Sequence, residues 1–160
     1  MSIEDTFNGV KSGLTFMNAY INTVAQTLGE EQALAFDSTT CEALGTAQGK
    51  MVKAQTGIDD IDLKTSSQLL QNLIKEGFGI RSDVIGETSD KITINVRRCP
   101  VYESMLALGM DTKAIEANCR AGAIQFMDAA AKQLNPRLGY ELTKFRLSAD
   151  DYCKEVLVFA

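Results

Sequence analysis

The sequence predicts an α+β fold: a helical N-terminal half, residues 1–79, and a four-stranded antiparallel sheet within residues 80–160 with helices packed on one face. Three observations predict it. Apolar residues recur at helical spacing through successive N-terminal segments, two later stretches alternate with period two about a polar turn, and the order helices, hairpin, helices, hairpin brings both hairpins into one sheet. A chain of 160 residues with 45% hydrophobic and 23% charged residues makes one globular domain, spanning 1–160, with no internal repeat, low-complexity tract or linker.

Each element follows from its own residues. Phe16, Met17, Tyr20, Ile21, Val24 and Leu28 form a helical stripe over Thr15 to Leu28, which Gly29 ends. A second helix, from about Glu30 to Thr56, carries Leu34, Cys41, Leu44, Met51 and Val52, with Gly45 and Gly49 on the same side. Each of those glycines costs roughly 1 kcal/mol of helix stability relative to alanine, and they suit close approach of another helix or a ligand. The third helix, Asp62 to Lys75, stops at Gly77-Phe78-Gly79. Ile80 to Glu87 and Lys91 to Arg98 are strands about the turn Glu87-Thr88-Ser89-Asp90, and Cys99-Pro100 closes the second. A short helix, Val101 to Leu108, precedes a longer one, Thr112 to Leu134, striped with Ile115, Cys119, Gly122, Ala123, Phe126, Ala130 and Leu134. Asn135-Pro136 ends it, and the strands Tyr140 to Leu147 and Tyr152 to Phe159 flank Ser148-Ala149-Asp150-Asp151.

Composition excludes several functions. Lys+Arg total 16 against 21 Asp+Glu, a net charge of -5 with no basic stripe, so no nucleic-acid partner is expected. The N-terminus is acidic where a signal peptide is positive, and no stretch approaches the roughly 18 apolar residues of a membrane span, so a cytoplasmic location is expected. The four cysteines lack any C-x-x-C pairing and read as free thiols. Histidine is absent, which removes the commonest general base and the usual zinc ligand.

Chemistry, if present, concentrates in the C-terminal 60 or so residues. Cys119 lies on the apolar stripe of its helix, and Cys153 shares the parity of Leu157 and Phe159, so both point to the core. By period two, Cys99 shares a face with Lys91, Thr93, Asn95 and Arg97, opposite Ile92, Ile94 and Val96. Neighbouring guanidinium charge from Arg97 and Arg98 favours its thiolate, making Cys99 the nucleophile candidate unless a bulge turns it inward. Glu103 is the nearest carboxylate for acid/base work, and Arg98 or Arg120 would clamp a substrate carboxylate. Phe126, Met105, Met127, Phe145 and Tyr102 would line an apolar pocket. Asp150-Asp151 reads as turn chemistry.

The runs Arg98-Cys99-Pro100-Val101-Tyr102-Glu103, Leu108-Gly109, Cys119, Leu134-Asn135-Pro136, Glu141-x-Thr143-Lys144 and Asp151-Tyr152-Cys153 resemble the L-2-amino-thiazoline-4-carboxylic acid hydrolase family. More distantly they are similar to 4-vinyl reductase domains, and the broader fold resembles subunits of the transport-particle (TRAPP) tethering complex. The resemblance covers about residues 91–159, the N-terminal 80 matching only as helices. It implies a ligand cavity between helices and sheet and a homodimer. In sensor-type 4-vinyl reductase domains zinc is held by two cysteines at the positions of Cys119 and Cys153 and by two residues between them. Leu142 and Phe145 occupy those middle positions here, so no metal or other cofactor is expected, zinc on Cys119 and Cys153 being the less favoured alternative.

The expectation is therefore a domain that binds a small hydrophobic or cyclic ligand, with Arg98, Tyr102, Met105, Cys119, Arg120, Phe126 and Phe145 as ligand contacts. The alternatives are a cysteine-assisted hydrolase of a cyclic amidine or thiazoline using Cys99 and Glu103, and a dimerising interaction module.

Overall fold

The computed structural model describes residues 2–159. Helix α1 (Ile3–Leu28) begins well before Thr15, because Ser2 and Asp5 form a capping box: the Asp5 N–H donates to Ser2 Oγ at 3.1 Å and the Ser2 N–H to Asp5 Oδ2 at 2.9 Å. Gly29 alone separates it from α2 (Glu30–Thr56). Asp62 caps α3 (Leu63–Phe78) by accepting the Thr65 N–H at 2.9 Å. There follow β1 (Arg81–Glu87), β2 (Lys91–Arg98), α4 (Pro100–Ala107) and α5 (Thr112–Cys119). A π-helical turn, Arg120–Ile124, joins α5 to α6 (Gln125–Leu134) in one continuous rod, and β3 (Leu138–Lys144) and β4 (Cys153–Phe159) complete the chain.

The sheet has four strands in the order β1-β2-β4-β3, every neighbouring pair antiparallel. The two hairpins meet between β2 and β4, where Ile92 pairs with Leu157, Ile94 with Glu155 and Val96 with Cys153. The alternating apolar residues of these strands, with Leu138, Tyr140 and Leu142 of β3, pack into one core with Leu70 and Ile74 of α3, Met105, Ile115 and Leu134. Helices on one face of an antiparallel sheet is the α+β architecture that the patterning predicts. The third strand begins at Leu138 and leaves the ladder after Lys144, where a register shift between Leu142 and Lys144 frees Phe145 to turn back into the core.

The helical layer departs from its sequence pattern in an instructive way. In α2 the buried side is the glycine side: Gly45 and Gly49 sit so close to α6 that an added Cβ would lie 2.2 Å from the Phe126 carbonyl oxygen and 2.6 Å from that of Ala130. Of the apolar residues expected to pack, Leu44 and Met51 are left outside, at 53% and 51% exposure, while Leu34, Cys41 and Val52 are half-buried. In α1, Phe16 is 81% exposed and Tyr20 67%, while Phe7 and Asn18 are the buried positions. No described helix is long and apolar enough to cross a membrane.

Candidate functional site

An apolar cavity of about 190 Å³ lies within the helical layer. Leu14, Met17 and Asn18 of α1, Asp37, Thr40 and Cys41 of α2, Phe78 of α3 and Met105 of α4 line it, closed by Gly122, Ala123, Phe126 and Met127 on the rod from α5 to α6. Phe126 and Phe78 meet edge to face, ring centroids 5.6 Å apart. The exposed side chains of Met17 and Leu44 mark where this cavity reaches the surface. Its lining comes almost wholly from helices, rather than from helices and sheet together.

Few polar groups face it, and they are placed by packing. Asn18 Nδ2 donates to Ser104 Oγ at 2.8 Å, both residues buried, which ties α1 to α4. Asp37 is 8% exposed; its Oδ1 accepts the Cys41 thiol at 3.5 Å, and burial pushes its carboxyl above the usual carboxylate range. Burial, with the Asp37 charge beside it, pushes the Cys41 thiol up to about 12. Opposite Asp37 stands Gly122, in the middle of the π-turn; an added Cβ there would lie 2.6 Å from Asp37 Oδ2. π-Turns inside α-helices recur at functional sites because they displace the backbone locally, and this one admits a carboxylate against the rod.

A second polar group lies deeper, on the helix-facing side of the sheet. Here the fold draws Cys99, Cys119 and Cys153 toward one another despite their separation in sequence, each thiol within electrostatic reach of Cys119. Arg146, only 1% exposed, donates from Nη2 to the Val96 carbonyl at 2.6 Å and from Nε to Cys153 Sγ at 3.3 Å, with its guanidinium carbon 4.9 Å from the centre of the Tyr102 ring. No carboxylate comes within ion-pair distance of it among the described residues. Tyr140 OH donates to Glu155 Oε2 at 2.5 Å. Burial raises both groups, the Tyr140 phenol well above its ordinary value, while Arg146 draws Glu155 partly back.

Cys99 reaches this group because the period of β2 breaks before it. Ser82 pairs with Val96 and Arg81 with Arg98, so Arg97 is an extra residue and forms a β-bulge. Arg97 and Arg98 both stay outside, and Cys99 turns back against the core. Burial pushes its thiol up to about 11, and the cation that partly offsets this is Arg146. Arg98 is engaged elsewhere: Nη1 donates to Glu4 at 2.7 Å, Nε to Glu103 at 3.1 Å, and the guanidinium stacks 3.9 Å over Phe7. Glu103 also holds Lys11 at 2.9 Å, so its carboxylate is shared between two cations.

Of the residues expected as ligand contacts, Met105 and Phe126 line the helical cavity. Tyr102 and Phe145 pack on each other, ring centroids 6.1 Å apart, in the core with Cys119. Arg98 and Arg120 lie at the surface in ion pairs, Arg120 with Glu116 at 2.7 Å and donating to the Leu142 carbonyl at 3.1 Å. Among the described residues no set of three or more cysteine or carboxylate side chains is placed to hold a metal ion, and Leu142 and Phe145 offer no donor atom beside Cys119 and Cys153, so the residues present do not fit a zinc site. Asp37, Asn18, Arg146, Tyr140 and Glu155 escape sequence reasoning. The one signal was the spacing of Gly45 and Gly49, which marks the face of α2 that also carries Asp37.

Helices on one face of a four-stranded antiparallel sheet, with a hollow inside the helical layer, define an α+β domain built around an internal cavity. The chain belongs to the L-2-amino-thiazoline-4-carboxylic acid hydrolase family, whose sequence profile matches residues 10–154. This match takes in most of the N-terminal helices as well as the C-terminal motifs. No curated protein matches it in sequence. Among solved structures the fold is similar to the phenol-responsive sensory domain of the transcription activator PoxR with phenol, at 10% identity and a TM-score of 0.70, over 91% of this chain and 74% of that one. It is also similar to a trafficking protein particle complex subunit 3 from Naegleria fowleri covalently bound to palmitic acid, at 15% identity and a TM-score of 0.57, over 94% and 96%.

Proposed function

We propose that this domain binds a compact apolar small molecule in its helical cavity, without hydrolysing it. The observation that carries the reading is the cavity itself: about 190 Å³, with Leu, Met, Ile, Val and Phe side chains forming most of its lining. An apolar hollow of about 150 Å³ is enough to take up benzene, so a single ring with a small substituent fits. The phenol-responsive domain, which shares this fold, supports the same reading. For hydrolysis Cys99 would act as nucleophile and Glu103 as acid/base. A thiol pushed up to about 11 holds roughly one thiolate in ten thousand at pH 7, and Glu103 is committed to Lys11 and Arg98, which favours binding over turnover.

The test is calorimetry with phenol and toluene on the native protein and on Ala123→Leu, whose added methyl groups fill the hollow. Binding that is lost or weakened about tenfold in the variant supports the cavity as the site. Equal binding by both proteins moves the site elsewhere. Hydrolysis of a thiazoline that disappears in Cys99→Ala would replace this reading with the enzymatic one.

We also propose a homodimer through α1 and α2. Met17, Tyr20 and Phe36 line one groove between these helices, and the exposed Phe16, Leu44 and Met51 extend the patch, an apolar surface that monomers seldom leave uncovered. Light scattering over a concentration series should show a dimer that dissociates on dilution, and Tyr20→Glu should give a monomer with an unchanged circular-dichroism spectrum. A native protein that stays monomeric at high concentration rules this out.

A further inference from the structure

The cavity is mostly apolar, with Asn18, Thr40 and Asn118 as neutral polar groups in its lining. Among the described residues Asp37 is the only charged side chain lining it, and no lysine or arginine joins it. Among the described residues Asp37 Oδ1 has only the weak Cys41 thiol for a partner, and no group donates to Oδ2. Oδ2 is aimed at Gly122, across the floor of the hollow. Its Oδ2 keeps contact with solvent through the cavity, but a largely buried carboxylate with neither cation nor N–H partner from the protein is disfavoured by burial, and such groups are ordinarily paired. A ligand that brings the missing cation recovers that cost; a ligand that brings a second carboxylate adds to it.

We propose that the cavity selects a compact, single-ring-sized molecule carrying a protonated amine, which Asp37 binds, and that it rejects carboxylates of the same size. This rests on the reading of the helical cavity as the small-molecule site. The family's description names a carboxylic acid, and this cavity offers such an acid no cation. Burial shifts the Asp37 carboxyl upward in the empty site, and an ammonium group binds its carboxylate form. The only other titratable group lining the cavity is the Cys41 thiol, which stays protonated throughout the working range; α1, α3, α4 and the rod from α5 to α6 present uncharged side chains to it.

The probes are benzylamine, benzyl alcohol and benzoate, three molecules of one shape and three charges, titrated by calorimetry into the native protein and into Asp37→Asn. Benzylamine should bind about tenfold or more tighter than benzyl alcohol, with benzoate weakest, since a hydrogen bond to a charged group is stronger than one between neutral groups. Asp37→Asn should remove that preference and leave benzyl alcohol within about threefold of its native affinity. Lowering the pH should weaken benzylamine alone, by up to about tenfold per unit below the Asp37 titration. This arm uses the native protein and decides the matter if Asp37→Asn does not fold. Benzoate or benzyl alcohol binding as tightly as benzylamine, or benzylamine binding that ignores both pH and Asp37→Asn, overturns the amine preference while leaving the cavity as a binding site. Failure of all three probes, with phenol and toluene also unbound, overturns both.

Discussion

Gly45→Ala is expected to lower the melting temperature by roughly 4–8 °C, whereas Gly13→Ala should raise it by about 2–4 °C. Both positions lie inside long helices, where alanine in place of glycine ordinarily stabilises by up to about 1 kcal/mol. At Gly13 nothing lies within 4 Å of the added methyl group, so the propensity gain stands alone. At Gly45 the methyl carbon would sit 2.2 Å from the Phe126 carbonyl oxygen and 2.9 Å from its carbon. Those are backbone atoms within a helix and cannot rotate away, so α2 and α6 must separate. Overpacking of this kind costs typically 1–3 kcal/mol and here reaches the upper part of that range or beyond, a net loss of about 2 kcal/mol. Thermal melts of the two variants beside the native protein check the contrast; equal shifts of one sign would show that the α2–α6 contact is not tight.

The second large effect belongs to Arg146. Arg146→Ala should cost about 3–5 kcal/mol, because it opens a void in the core and leaves the buried Val96 carbonyl without its donor. Arg146→Met separates the two contributions. Methionine refills most of the volume and sheds a buried charge that has no carboxylate at ion-pair distance, but it cannot donate to Val96 or Cys153. About half of the loss should return. Urea denaturation with an unchanged slope is the measurement. Full recovery in Arg146→Met would make the arginine a matter of packing alone, and no recovery would assign the whole effect to its hydrogen bonds.

Much of the fold is legible in the residues. Gly29 and Thr56-Gly57 bound α2, period two marks both hairpins, and Asn135-Pro136 stops α6 at Leu134, where the structure ends it. What escapes is whatever depends on partners distant in sequence. The start of α1 carries Ile3, Phe7, Val10 and Leu14 at helical spacing behind the Ser2–Asp5 capping box, two local signals that a stripe begun at Thr15 passes over. The orientation of Cys99 is set by the bulge at Arg97, which exists only in the pairing with β1. Asp37 sits among Phe36, Thr40 and Cys41 on a helix with weak patterning, and only the approach of Gly122 from the far end of the chain buries it. Arg146 falls in the stretch expected as strand through Leu147, but β3 ends at Lys144, and beyond the register shift there Phe145 and Arg146 both turn inward.

The π-turn at Arg120–Ile124 lets the rod from 112 to 134 carry one residue more than a plain α-helix of its length. The wide turn absorbs that residue locally, so α5 and α6 keep the azimuths that an uninterrupted α-helix would give them. Deleting one residue there would restore an ideal spiral and leave Cys119 facing the core. What it would remove is the local displacement of the backbone at Gly122, against which Asp37 Oδ2 now lies.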